Sequence, residues 1–189
     1  MRPVFASAIA PVFALALAFG IAGCDRNNAP QPQPKAEASA GPAAKVDRTH
    51  KGEEAPAVPF TGPDGGPATL ASFRGKPLIV NLWATWCAPC VVEMPQLDAI
   101  AAGAGGRFEL IAVSQDMAGK KEVDPFFAEH KFKALRPYLD KQNVLMEALK
   151  AETLPVTIMY DAKGKEIWRV VGKFDWAGAE AKALVEEGA

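Results

Sequence analysis

The run PLIVNLWATWCAPC, residues 77–90, constrains this chain more than any other segment. Its first eight residues form a continuous apolar, β-rich stretch, the pattern of a strand buried on both faces. The strand ends in two cysteines three apart. The segment after them, PCVVEMPQLDAIAAG (89–103), sets Val91, Met94, Leu97 and Ile100 at helical spacing and closes at Gly103. Pro95 lies within that helix and is expected to kink it. The cysteine pair therefore belongs at a strand-to-helix corner.

The residues around this corner extend the pattern. Residues 58–73 read as two short extended pieces around a Gly/Pro turn, an N-terminal β-hairpin extension. Strands are expected over 108–116, 135–140, 156–161 and 166–172, the last two joined as a hairpin through AKGK. Helices are expected over 122–132, 143–152 and 176–187. Strands alternating with helices, then an antiparallel pair and a closing helix, give an α/β sandwich with a central mixed sheet over 56–189. Hydrophobic content of 49% can fill its core, and a net charge of −1 offers no electrostatic reason to expect nucleic acid as a partner.

The N-terminus differs in kind. Residues 1–23 carry one charge, Arg2, and then an almost wholly apolar run ending in small residues, the form of an export signal. Ile21-Ala22-Gly23-Cys24 resembles a bacterial lipobox, which implies lipidation at Cys24. Asp25 beside it resembles the inner-membrane retention signal of enterobacterial lipoproteins. The apolar run is also long enough for an uncleaved transmembrane anchor, and a soluble secreted product is a third outcome. All three put the rest of the chain outside the cytoplasm. Residues 24–55 hold four prolines, with Val46 as the only large aliphatic, and read as a flexible tether spanning roughly 30 Å.

Several chemistries compete for Cys87 and Cys90. Structural zinc normally needs four Cys/His ligands, and the other cysteine sits in the export signal, with only His50 and His130 in addition. A purely structural disulfide would close nearly the shortest possible loop and stabilise little. Thiol–disulfide exchange fits better. A cysteine at a helix N-terminus meets aligned backbone N–H groups and the positive end of the dipole, which favour the thiolate. Cys87 would sit there, Pro89 suits the first helical turn, and Cys90, one turn on, is positioned to attack a mixed disulfide formed by Cys87.

WATWCAPC, followed by EMP and later by TLPVTIMYDAKG, resembles the thioredoxin fold in its TlpA/ResA-like, membrane-attached extracytoplasmic branch. The resemblance covers 56–189, and KFDWAGAEAKALVEE leans toward TlpA-like members. It implies that Cys87 is the exposed nucleophile, Cys90 the resolving thiol and Pro155 a cis-proline facing them. Leu154 would then keep its backbone groups free for an incoming peptide, and Trp86 would shield the disulfide and offer an apolar docking surface. Asn81 stands where thioredoxin has a buried acid. Glu93, three residues after Cys90 as in ResA-like proteins, is expected either to help deprotonate Cys90 or to satisfy the helix dipole.

The resemblance further implies a protein-disulfide reductant without cofactor or metal, supplied with electrons by a membrane thiol reductant. Its clients would be copper-delivery proteins and the copper site of a cytochrome oxidase subunit, or apocytochrome c, with a lean to the copper side. Three other readings stay open. A thiol peroxidase would want proline and threonine or serine where Val80 and Ala84 stand. A copper chaperone would use Cys87 and Cys90 as ligands but has only His130 in the domain. A non-catalytic binding module would not need Cys87 at all.

Overall fold

The computed structural model describes residues 44–189, so the expected export signal, Cys24 and most of the expected tether lie outside the described residues. The strands are β1 (Lys45–Asp47), β2 (Phe60–Thr61), β3 (Pro67–Ala68), β4 (Leu78–Trp83), β5 (Glu109–Ser114), β6 (Pro137–Leu139), β7 (Val156–Tyr160) and β8 (Glu166–Val171). The helices are α1 (Ala88–Ala102), α2 (Lys120–His130), α3 (Val144–Ala148) and α4 (Ala179–Gly188). All eight of these strands form one sheet in the order β1-β8-β7-β4-β5-β6-β2-β3. The β4-β5-β6 pairings are parallel and the others antiparallel, which makes the sheet mixed, as expected.

β4 is buried along its whole length because both faces of the sheet are covered. Ile79 and Trp83 join one layer with Met94 and Leu97 of α1, Val123 of α2, and Leu184 of α4. Leu78, Val80 and Leu82 join the other layer with Phe60, Leu70, and Leu145 of α3. Burying each such side chain contributes about 1.5–3 kcal/mol, so an uninterrupted apolar strand is what this position selects. α1 runs through Pro95 and ends at Gly103, whose N–H donates to the Ala99 carbonyl.

Three boundaries differ from the expected ones. The ordered domain begins before residue 56: β1 pairs antiparallel with Arg169–Val171, and Gly52 and Glu53 exchange backbone hydrogen bonds with Glu166. Val46 is half-buried against the core. A single aliphatic anchor and an open strand edge thus suffice to order a stretch whose composition gives it no core of its own. α3 stops at Ala148, because Arg169 Nη1 takes the Leu149 carbonyl and Lys150 turns to a positive φ of 55°. α4 starts at Ala179, since residues 174–176 are held by side chains of α1. The β2–β3 hairpin is present, but β2 also pairs with β6 and so belongs to the main sheet. Among the described residues, no helix is long and apolar enough to cross a membrane.

Candidate active site

Strand register brings four chain segments to one end of the sheet. Trp83 at the end of β4 lies opposite Ser114 at the end of β5, Leu82 is opposite Val156 at the start of β7, and Val156 is opposite Val171 at the end of β8. The segments leaving or entering there carry Cys87, Asp116, Pro155 and Gly172.

Cys87 and Cys90 form a disulfide, with Cα atoms 5.2 Å apart. Cys87 is the N-cap of α1, and its Sγ accepts a hydrogen bond from the Cys90 N–H at 3.4 Å, while Pro89 occupies the first turn. The N-terminal end of α1 thus points at the Cys87 sulfur, and the geometry favours negative charge on that atom. The expectation of an exposed nucleophile needs tempering. Cys87 is 6% exposed and Cys90 1%, so in the oxidised state only a sliver of the first cysteine reaches solvent. Trp86 beside it is 70% exposed, a large aromatic side chain presented to solvent next to the pair.

Sequence reasoning missed the brace under this corner. Asp116 is buried, and its carboxylate accepts from the Thr85 N–H at 3.0 Å, the Thr85 hydroxyl at 2.6 Å and the Ser114 hydroxyl at 2.7 Å. The turn between β4 and α1 is therefore tied to the end of β5. The only sequence signals were Thr85 within the cysteine motif and an acid closing SQD, and neither implies the other.

Glu93 is 1% exposed on α1, one turn after Cys90. Its Oε1 accepts from the Phe174 N–H at 2.6 Å and its Oε2 from the Trp176 indole N–H at 3.2 Å. The carboxylate thus bonds the loop after β8 rather than the first-turn amides of its own helix. Burial pushes its pKa up to about 7, against the opposing pull of those two donors and of Lys173. Gln96, a turn further on, accepts from the Trp176 backbone N–H and donates to Asp175. Phe174, Gln96 and Trp176 are absent from the sequence-derived site because hydrogen bonds between a helix and a loop some 80 positions away leave no local periodicity.

The Leu154–Pro155 peptide bond is cis, as expected. The Pro155 carbonyl accepts from Gly172 N–H at 2.9 Å, which ties the start of β7 to the loop that holds Glu93. None of the hydrogen bonds among the described residues involves the Leu154 backbone, and its side chain is half-buried between the two core layers. Asn81 is buried beneath this end, with its Nδ2 donating to Thr157 Oγ1 at 2.9 Å. Met117, 77% exposed just past β5, adds a second large apolar side chain to the surface. His130 stacks on Phe126 and Phe132, and its Nδ1 lies 2.9 Å from the Phe126 carbonyl, an ordinary helix-face environment.

This assembly can perform two-cysteine chemistry: a sulfur at a helix N-terminus, a partner sulfur one turn away, and a buried carboxyl poised to hold a proton near neutral pH. Comparison with known proteins agrees. The Redoxin family matches residues 50–185. Thiol-disulfide oxidoreductase ResA of Bacillus cereus is 29% identical over 134 residues, covering 69% of this chain and 75% of that protein. An uncharacterized protein of Haemophilus influenzae is 29% identical over 100 residues, 51% of this chain and 64% of its own length. A Chlorobium tepidum structure described as a candidate thiol:disulfide interchange protein DsbE superposes with a TM-score of 0.66 at 21% identity, covering 73% of this chain and 96% of that one. The exposed lipoprotein thioredoxin Etrx1 of Streptococcus pneumoniae gives 0.59 at 23% identity, over 68% and 98%. At these identities the two structures speak to the thioredoxin-like fold alone.

Proposed function

The chain belongs to the Redoxin family, and from that premise we propose that it is a membrane-tethered, extracytoplasmic thiol-disulfide oxidoreductase that reduces client disulfides. The observation that carries the reading is the Cys87–Cys90 disulfide with Cys87 as the N-cap of α1. In the reduced protein the Cys87 thiolate attacks one sulfur of a client disulfide, forming a mixed disulfide and releasing the client's other sulfur as thiolate. Cys90 then loses its proton to Glu93 and attacks Cys87 Sγ, which closes the Cys87–Cys90 disulfide and releases the second client thiolate. Two electrons pass to the client, the released thiolates take up two protons, and a membrane dithiol reductant restores the reduced pair.

Client binding falls to the surface around the pair. Trp86 supplies an exposed aromatic face, and Leu154 and Pro155 supply an edge where an extended peptide can pair. Attachment falls to the N-terminus, through lipid at Cys24 after removal of residues 1–23, or through an uncleaved anchor. The lipobox-like run Ile21-Ala22-Gly23-Cys24 supports the first of these. The clients we favour are copper-delivery proteins and the copper site of an oxidase subunit, with apocytochrome c next.

The decisive test is trapping with Cys90→Ser in the native envelope. The mixed disulfide on Cys87 then has no resolving thiol and accumulates with the client attached. Recovery of a cysteine-bearing copper or haem protein supports the reading, whereas no adduct, or adducts equally abundant in Cys87→Ser, overturns it. The couple should also be reducing, near thioredoxin's potential of about −270 mV, and a value near DsbA's, about −120 mV, would reverse the direction.

A further inference from the structure

Glu93 is not free to meet Cys90 as it pleases, because the loop after β8 holds it. Phe174 offers a backbone N–H to one carboxylate oxygen, and Trp176 offers an indole N–H to the other. The indole is itself fixed. Trp176 is buried, its backbone N–H is bonded to Gln96 Oε1, and its ring packs edge-on against Phe174 at 4.9 Å and stacks on Trp168 at 6.2 Å. The charged group that acts on the carboxylate is Lys173 on this loop; Cys90, three residues earlier on α1, shares its helix face, while Asp175 is engaged by Gln96 Nε2.

We propose that Trp176 is a positioning residue of the redox reaction: its indole N–H fixes the buried Glu93 carboxylate beside Cys90 and sets how readily that carboxylate accepts the Cys90 proton. The inference rests on the role given to Glu93 above and adds the group that controls it. A donor to a carboxylate stabilises the ionised form, so loss of the indole N–H makes Glu93 harder to ionise. During resolution the S–H proton of Cys90 moves to a Glu93 oxygen as the new S–S bond forms. The indole N–H bond therefore holds the carboxylate before the transfer and weakens when the proton arrives. Because Gly172 of the same loop donates to the Pro155 carbonyl, the loop also joins the proton acceptor to the edge where a client would lie.

Two measurements test this. In the oxidised protein neither cysteine titrates, so the Trp176 indole N–H resonance, assigned through its contact with Phe174, should move with a single midpoint near neutral pH. It should stay still in Glu93→Gln. In the exchange reaction, Trp176→Phe keeps an aromatic ring but removes the donor, and the pH–rate midpoint should rise by about one unit. A Trp176 resonance that is flat between pH 5 and 9 in the unmodified protein overturns the contact, whether or not the variant folds. An unaltered profile in Trp176→Phe, beside an altered one in Glu93→Gln, overturns the inference and leaves the role of Glu93 intact. An unaltered profile in Glu93→Gln removes that role, and the inference with it.

Discussion

At the scale of single residues, two buried carboxylates frame the cysteine pair and are held in opposite ways. Asp116 receives three donors from the β4–α1 corner and the end of β5. Asp116→Ala should cost roughly 2–4 kcal/mol in urea denaturation, because it strands donors in a buried turn. Alkylation of the reduced Cys87 at fixed pH should slow by about ten- to a hundredfold as the sulfur loses its register. Normal alkylation in a destabilised variant would confine Asp116 to folding. Glu93 carries a cost of its own. Its folded pKa, about 7, lies above its ordinary value of 4.5, so the folded protein binds more protons than the unfolded chain between those values. The contribution of Glu93 to stability is therefore greatest below about pH 4.5 and falls by about 3 kcal/mol as pH rises to about 7. Denaturation of the oxidised protein at pH 5 and pH 8 should show that fall, and Glu93→Gln should flatten it. An equal slope in both proteins would mean that burial does not perturb the group.

Among the elements, α1 is the one on which the rest is built. Besides Cys90 and Glu93 it carries Asp98, whose carboxylate accepts from the backbone N–H groups of Lys133, Ala134 and Leu135 just before β6. Burial acts to raise the Asp98 pKa, but the three donors outweigh it and hold the group below the usual carboxylate range. The sign is opposite to that of Glu93. Stability from Asp98 is present above its ordinary value of 3.8 and is lost as pH falls through its lower folded value. Asp98→Ala should cost roughly 3–5 kcal/mol at neutral pH, with the gap to the parent protein narrowing in acid; a gap that stays constant would mean shape, not charge, is what the turn needs. The same helix explains what the sequence could and could not reveal. Its start, its end and its apolar face followed from Pro89, Gly103 and the spacing of Met94 and Leu97, because those are local properties. β4 was readable for the same reason. The grips of Glu93, Gln96 and Asp98 on distant loops were not, since each pairs a helix side chain with backbone whose position only the finished fold determines. Trp176 falls in the helix expected over 176–187 for that reason: as a sequence it continues a helical pattern, and as a structure it is pinned to α1.

On the scale of the whole molecule, the segment before the family-like core completes the sheet. β8 would be an edge strand without β1, and its neighbourhood contains the buried Glu166–Arg169 pair, whose two hydrogen bonds are both 2.7 Å long. Gly52 and Glu53 seal the Glu166 backbone, Ala55 donates to the Gly164 carbonyl, and Glu54 bridges to Lys165. A chain begun at residue 56 would lack Val46 and β1, uncover β8 and wet one side of a buried ion pair. One begun at residue 44 keeps β1, the covered ion pair and Val46. The shorter chain should be less stable by roughly 2–4 kcal/mol, since a buried pair tolerates loss of its surroundings poorly. It should also self-associate, because an open strand with unpaired N–H and C=O groups is a template for another chain. Urea denaturation and sedimentation of the two chains check both outcomes. Equal stability and equal mass would mean that the segment only lies on the sheet. A difference in stability or in mass would instead mean that the folded domain begins at residue 44 rather than at residue 56.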